Sequence, residues 1–357
     1  MRFKMSKTVG ALNRERLRAF VFALITIGLL FQSSCATLEV ALKKVEKSLW
    51  QEKTPEPLQF QSDEYIVYRL QEGETPVAIA ERFLGDEKRS WVIEEANKDI
   101  EFRENQVIII PLKEENKGGL AIDGYQAVPI LSYHHFAENC ESHLCISASV
   151  FDQQMRYLKN NGYRVITMGE LLGFMQYRHA IPKRSILITI DDGYRSAYEI
   201  AYPVLKKYGF SATLFIYTDY VGVSRSAITW DQLREMKADG FGVGSHTISH
   251  CDLTKKMTGE QYQDYMERIK REICVSKQII DKELSQDTFS FAYPYSRYNA
   301  SVLSLCEQAG YKVGVTVDRG GNAFFKDPLV LDRNQILKSD MYAFMANLKT
   351  FNKFSLK

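Results

Sequence analysis

Along this chain, apolar positions change their spacing from one stretch to the next. Between residues 65 and 111 a strand-like run, Tyr65 to Leu70, precedes helical spacing over Val77 to Phe83 and Trp91 to Ala96, and a second apolar run, Gln106 to Pro111, closes the stretch. Gly73-Glu74-Thr75-Pro76 reads as a helix start, with Thr75 as N-cap and Pro76 in the first turn. The order predicts a small strand, helix, helix, strand unit. From Val128 onward, short apolar runs alternate with amphipathic stretches. The runs are Val128 to Tyr133, Val165 to Thr167, Ile186 to Ile190, Ala212 to Tyr217, Gly242 to Ser245, Thr288 to Ala292 and Val313 to Val317. Helical spacing covers Phe151 to Gly162, Gly169 to Tyr177, Tyr194 to Tyr208, Trp230 to Asp239, Gly259 to Leu284 and Ala300 to Ala309. Strands alternating with helices build a parallel sheet or barrel, and in both, functional groups collect at the C-terminal strand ends. Periodicity does not separate a closed barrel from an open doubly wound sheet.

The N-terminus follows a different pattern. Six basic residues and one acid precede the largely apolar run of thirteen residues from Ala19 to Phe31, which Gln32-Ser33-Ser34-Cys35 follows. These are the parts of an export signal. Thirteen residues fall short of the ~20 that a spanning helix needs, so an uncleaved anchor is the secondary reading. Ser33-Ser34-Cys35 resembles a bacterial lipoprotein lipobox, which implies a lipid on Cys35; Gln32 departs from the aliphatic residue usual there. An ordinary secretory cleavage is the alternative. Either way the protein is expected outside the cytoplasm, in a bacterial cell envelope, membrane-anchored or periplasmic/extracellular.

At 357 residues the chain has room for two folded units, since domains run to roughly 100 to 200 residues. The expected division is an export segment over residues 1–35, a linker over 36–62, a small module over 63–112, a linker over 113–127 and a large α/β domain over 128–351. Apolar residues at 45% and charged residues at 25% exclude wholesale disorder and a multi-span membrane protein. With 46 basic and 44 acidic side chains, no electrostatic argument for a nucleic-acid partner exists. Oligomeric state is not readable. Of six cysteines, Cys140 and Cys145 (CESHLC) are close enough to close a small loop as a disulfide, in preference to a metal clip with His143.

The chemistry-bearing residues stand at strand ends. Ile186 to Ile190 runs into Asp191-Asp192-Gly193, and adjacent carboxylates on an extended segment point opposite ways, so one can hold a metal while the other faces substrate. Asp-Gly is also a common turn pair. The run at Gly242 leads into His246-Thr247-Ile248-Ser249-His250, whose two imidazoles suit zinc and its neighbours. An Asp, His, His set leaves positions open for water, as a catalytic metal requires. The third constellation is Ser290-Phe291-Ala292-Tyr293-Pro294-Tyr295-Ser296, where the Tyr295 N–H can be aimed at a ligand.

Two resemblances organise these residues. YIVYRLQEGETPVAIAERF, Asn97 and NQVIIIP resemble a LysM module, a small βααβ unit that binds N-acetylglucosamine chains; Glu74 and Pro76 replace the commoner Asp and Leu. TIDDG, SHTISH and FAYPYS, with VPILSYHHF and NNGYRVITMGELL, resemble the NodB-homology polysaccharide deacetylases, carbohydrate esterase family four, over Val128 to Phe351. That resemblance implies a distorted (β/α)7 barrel and removal of N-acetyl groups from N-acetylglucosamine polymers. It implies Asp191 as base, Asp192, His246 and His250 as ligands of a divalent metal (Zn2+ foremost, Co2+ or Ni2+ otherwise), and the Tyr295 N–H as oxyanion donor. No histidine follows His250, where many members carry the acid; the resemblance to the poly-N-acetylglucosamine deacetylase branch implies instead an acid from the first strand, within a Tyr-His pattern: His134, with His135 as alternative. Ala292 stands where many members carry an arginine that pairs with the base; Arg333, Arg297 or Arg319 could supply that charge. Trp230, Tyr293 and Arg333 are the candidate substrate contacts. The expected substrate is peptidoglycan or a poly-N-acetylglucosamine exopolysaccharide, and the rival reading is a non-catalytic glycan-binding envelope protein on a decayed esterase scaffold.

Overall fold

A computed structural model describes residues 58–113, 116–337 and 340–354. The export segment with Cys35, and most of the linker expected over 36–62, lie outside the described residues. The chain divides into two compact units. The smaller comprises Ile66–Glu74 and Glu101–Ile108 with the end of the N-terminal stretch, and the larger comprises Ser62–Tyr65, Thr75–Ile100 and the chain from Ile109 on.

Strands β1 (Leu58–Gln61), β2 (Tyr65–Arg69) and β3 (Val107–Pro111) form a three-stranded sheet in that order. β1 was not expected: Leu58–Gln61, near the end of the supposed linker, pairs antiparallel with β2, Gln61 opposite Ile66. In the larger unit, α1 (Pro76–Leu84) begins where the sequence pattern places it. Thr75 accepts a hydrogen bond from the Ala78 N–H at 3.2 Å, and Gly85 ends the helix at φ 69. After α2 (Ser90–Ala96), Asn97 is buried and its amide donates to the Ile93 and Ile109 carbonyls at 2.8 and 2.6 Å, tying the helix end to the residues of β3 that belong to this unit.

The chain continues through β4 (Leu120–Ala121), β5 (Gly124–Gln126), β6 (Val128–Tyr133), β7 (His135–Ala137), β8 (Cys145–Ser147), α3 (Ala148–Asn160), β9 (Arg164–Val165), α4 (Met168–Met175) and β10 (Ser185–Asp191). It goes on as α5 (Tyr202–Tyr208), β11 (Thr213–Ile216), α6 (Trp230–Ala238), β12 (Gly242–Ser245), α7 (Tyr262–Leu284), β13 (Ser290–Ala292), α8 (Ala300–Gln308) and β14 (Val313–Val315). The two-residue strands β15 (Gly321–Asn322) and β16 (Asn334–Gln335), α9 (Met341–Ala346) and β17 (Phe351–Lys353) complete it. Parallel pairing runs β14-β13-β12-β11-β10-β6, the seventh expected strand, β9, pairing with the start of β10. The sheet curls into a half-barrel. Its open side is spanned by residues 328–336: Leu331 exchanges backbone hydrogen bonds with Gly314 and Thr316 beside β14, and Ile336 donates to Ser132 of β6.

Two expectations are corrected. The linker over 113–127 contains β4 and β5, and β5 pairs antiparallel with β17, so the domain draws in residues on both sides of 128–351. The helix expected from Tyr194 starts as a π-helical turn, Ala197–Ala201, before α5, because Pro203 in the first turn of α5 has no N–H to contribute to a continuous ladder. Cys140 and Cys145 are joined in the β7 to β8 loop. Among the described residues, no helix is long and apolar enough to cross a membrane.

Every residue of β10 is buried, as in a parallel strand covered on both faces. Ile186, Ile188 and Ile190 pack in one apolar cluster with Leu214 and Met236, and Leu187 in another with Val128, Phe215 and Val315. Side chains alternate along the strand, so one set meets the surrounding helices and the other fills the curl of the sheet. Packing is close where the sheet is bridged: a Cβ on Gly314 would collide with the Leu329 carbonyl oxygen and lie 2.5 Å from the Tyr293 hydroxyl. Gly314→Ala is therefore expected to destabilise the fold by about 1–3 kcal/mol, read as a lower urea midpoint at unchanged slope. A midpoint equal to wild type would mean that residues 328–331 do not pack against β14 as described.

Candidate active site

At the end of β10 the backbone leaves the extended region. Asp192 has φ 74 and Gly193 φ 75, a left-handed pair that turns the chain sharply and separates the two carboxylates more decisively than strand alternation alone would. Asp191 goes inward, 2% exposed, and Asp192 faces the two histidines, its side chain 15% exposed.

Inside, Arg333 meets Asp191 as a fork: Nη1 donates to Oδ1 and Nη2 to Oδ2, both at 2.7 Å. Two further donors are satisfied, Nε by the Thr316 carbonyl at 2.7 Å and Nη1 by Thr189 Oγ1 at 3.1 Å, with the guanidinium 5.6 Å over the Phe215 ring. Burial pushes the Asp191 carboxyl up, but the charge and hydrogen bonds of Arg333 outweigh it and hold the group at about 2. Asp191 is thus a carboxylate at any physiological pH. His134 Nε2 lies 4.0 Å from Asp191 Oδ2, and its buried Nδ1 has no partner among the described residues. His135 turns elsewhere, its ring edge-on to Tyr194 at 5.1 Å.

The histidine pair sits on a loop, not a helix. Thr247 and His250 have φ 72 and 58, and Glu272 of α7 pins the turn by accepting from the Ile248 and Ser249 N–H groups at 2.9 and 3.0 Å. His246 Nδ1 is 2.7 Å from the Ala292 carbonyl, which can only accept, so Nδ1 carries the proton and Nε2 keeps its lone pair. His250 Nδ1 is 3.2 Å from the Tyr295 hydroxyl. The two Nε2 atoms lie 3.7 and 3.4 Å from Asp192 Oδ1, and the three ligand atoms fall within 4.8 Å of one another. Burial pulls His246 down to about 3 and lowers His250, so both imidazoles are neutral, while burial pushes Asp192 up to about 6. Two lone pairs and a carboxylate that burial disfavours as an anion form a donor set that a divalent cation fits.

The other expected residues divide. Tyr295, at φ 57 and 62% exposed, and Ser296, at φ 59, form a left-handed pair beside His250. The glycine usual at the second position would adopt that conformation without strain; here the Ser296 hydroxyl accepts from the Val317 N–H at 2.8 Å. As substrate contacts, two candidates are corrected: Tyr293 is 1% exposed with its hydroxyl on the Leu329 carbonyl, and Arg333 is enclosed with Asp191, whereas Trp230 at the start of α6 is half-buried, one side against the apolar core. Of the rival arginines, Arg297 pairs with Asp252 and Arg319 bonds Asn347. Asp231 is exposed and pairs with Arg234, the N-cap of α6 being Thr229. Glu272 and Thr189 were not foreseen, for they act on backbone and side chains remote in sequence. Glu272 left no signal in the sequence, since Arg268 four residues before it makes it look like one half of an ordinary helical ion pair.

Comparison with known proteins agrees with this geometry. Residues 178–314 match the family described as Polysaccharide deacetylase, a stretch that holds Asp191, Asp192, His246, His250 and Tyr295 but neither His134 nor Arg333. YxkH of Bacillus subtilis (strain 168) is 35% identical over 193 residues, 54% of this chain and 65% of that protein. The poly-beta-1,6-N-acetyl-D-glucosamine N-deacetylase of Staphylococcus aureus (strain MRSA252) is 30% identical over 178 residues, 48% of this chain and 61% of that one. The match thus spans less than two thirds of either curated relative. The Streptococcus pyogenes deacetylase PplD, solved in complex with acetate, superposes with a TM-score of 0.56 at 29% identity, over 62% of this chain and 98% of PplD. On sequence, fold and strand-end geometry together, the stretch that holds these residues is similar to the polysaccharide deacetylase domain of the NodB-homology kind.

Proposed function

We propose that the protein hydrolyses N-acetyl groups from an N-acetylglucosamine-containing polysaccharide in the cell envelope, with a divalent metal, zinc foremost, as cofactor. The observation that carries this reading is the convergence at one strand end of the Asp192, His246 and His250 donor set with the ionised Asp191. A binding scaffold needs neither group. The Staphylococcus aureus relative, by its name, acts on poly-beta-1,6-N-acetyl-D-glucosamine, which supports an exopolysaccharide. The LysM-like segment 63–112 supports peptidoglycan and, in this reading, holds the enzyme on its glycan.

Asp192, His246 and His250 would hold the cation, which supplies Lewis acidity that polarises an amide carbonyl and acidifies water. Asp191 takes the proton from the attacking water. Its pairing with Arg333 lowers its basicity, so the arginine's contribution is to keep it ionised and aimed. The Tyr295 N–H donates to the oxyanion as the carbonyl becomes tetrahedral. His134, next to Asp191, gives a proton to the departing amine, a poor leaving group without one. Export, with a lipid on Cys35 or an N-terminal anchor, would place the reaction outside the cytoplasm.

Asp192→Ala, His246→Ala and His250→Ala are expected to lose bound zinc, whereas Asp191→Asn and His134→Ala keep it and lose acetate release from peptidoglycan and from N-acetylglucosamine oligomers. Zinc analysis beside acetate assay checks this, and equal zinc loss in all five would overturn the assignments. Arg333→Met should cost about 3–5 kcal/mol in a denaturant titration, because it leaves a buried carboxylate unpaired. A loss below about 1 kcal/mol, the range of an exposed pair, would contradict the burial described. Deleting residues 63–112 should leave turnover of short oligomers and weaken retention on insoluble glycan in a pull-down; unchanged retention would reduce the module to a spacer.

A further inference from the structure

The reaction as proposed leaves unused a band of tyrosines beside the metal ligands. Tyr194 follows the turn after β10, and Tyr217 and Tyr220 follow β11. Their rings run without a break from His135 to Tyr295. Centroids are 5.1 Å apart from His135 to Tyr194, 5.8 Å from Tyr194 to Tyr220, 5.1 Å from Tyr220 to Tyr217, 5.4 Å from Tyr217 to His250 and 4.8 Å from His250 to Tyr295. Tyr194, Tyr217 and Tyr220 are each half-buried. The Tyr220 hydroxyl is 3.1 Å from Ser226 Oγ, but the Tyr194 and Tyr217 hydroxyls have no protein partner among the described residues.

A wall of this composition has a definite complement. It presents ring surface with polar tips and little conformational freedom to lose, whereas a pyranose presents C–H faces edged by hydroxyls. Two unpaired hydroxyls on half-buried rings at the edge of a reaction centre point to a ligand that brings its own hydrogen-bonding groups. We propose that Tyr194, Tyr217 and Tyr220 form the wall against which the N-acetylhexosamine undergoing reaction packs, with the Tyr194 and Tyr217 hydroxyls bonded to its sugar hydroxyls. The proposal rests on the deacetylase reading and adds the residues that position the sugar. Position 217 thus contributes to substrate selection although it lies outside the three strand-end constellations.

The test uses the zinc-loaded full chain with Tyr194→Phe, Tyr217→Phe and the double variant, which keep the rings and remove only the hydroxyls. Acetate release from an N-acetylglucosamine pentamer is measured for KM and kcat, with zinc content alongside. A lost hydrogen bond of about 0.5–1.5 kcal/mol corresponds to about 2- to 12-fold, so each single variant should raise KM within that range and the double should raise it further. The values of kcat and the zinc content should stay within about twofold of wild type. A double variant with wild-type KM overturns the wall and leaves the deacetylase reading intact. If the wild type releases no acetate, calorimetric titration with the same pentamer separates the two ideas. Binding that weakens in the double variant supports the wall while the reaction fails, and binding that is absent or unchanged overturns the wall.

Discussion

A carboxylate sealed inside a folded domain must find a counter-charge, and the Asp191 to Arg333 pair is where this structure meets that demand. Both side chains are almost wholly buried, and every donor of the guanidinium that faces Thr189, Thr316 or Asp191 is used. Leaving either partner alone would cost several kcal/mol. The pair therefore ties the end of β10 to residues 328–336, the stretch that spans the open side of the sheet between β14 and β6. Gly314 is part of the same constraint, since only a residue without Cβ lets the Leu329 carbonyl approach β14 so closely. Architecture and electrostatics share one interaction, and Asp191 is ionised for the same reason that the sheet is bridged.

Around that pair, the backbone carries unusual conformations in a small space. Asp192, Thr247, His250, Tyr295 and Ser296 all have positive φ without being glycine. Such residues persist only where their surroundings overdetermine them, and they gather at functional sites. Here the restraints are visible: Glu272 holds the histidine loop, Thr247 Oγ1 accepts from the His250 N–H at 2.9 Å, and Ser296 accepts from Val317. The result is a donor set whose imidazole tautomer is set by the Ala292 carbonyl rather than by solvent. Outside the donor set, tyrosine rings continue the surface, so charge is confined to the reacting centre and the flank is neutral and aromatic.

Much of this was open to reading along the chain, and the exceptions have physical causes. The seven parallel strands and the helices between them follow from spacing because each is long enough, or apolar enough, to leave a periodic trace. β1, β15 and β16 leave none at two to four residues, and β5 joins the domain only by pairing with β17, more than two hundred positions away. Thr75 illustrates the legible extreme, since a cap is a local hydrogen bond between residues three apart.

The sequence by itself determined which chemistry-bearing residues end which strands, because a strand's last residue is fixed by the pattern that precedes it. Asp191, Asp192, His246, His250 and Tyr295 were all named on that ground. Only the tertiary structure decided what each of them faces. Three arginines were equal candidates to neutralise Asp191, and the choice of Arg333 depends on a bridging segment 142 positions along the chain. Tyr293 stood as a candidate substrate contact and is packed away, while Tyr194, Tyr217 and Tyr220, which the spacing did not single out, form a row of rings that reaches His250. Local pattern records what a residue does to its own backbone; contact across the sheet depends on where distant segments come to rest, and a single chain's spacing holds no record of that.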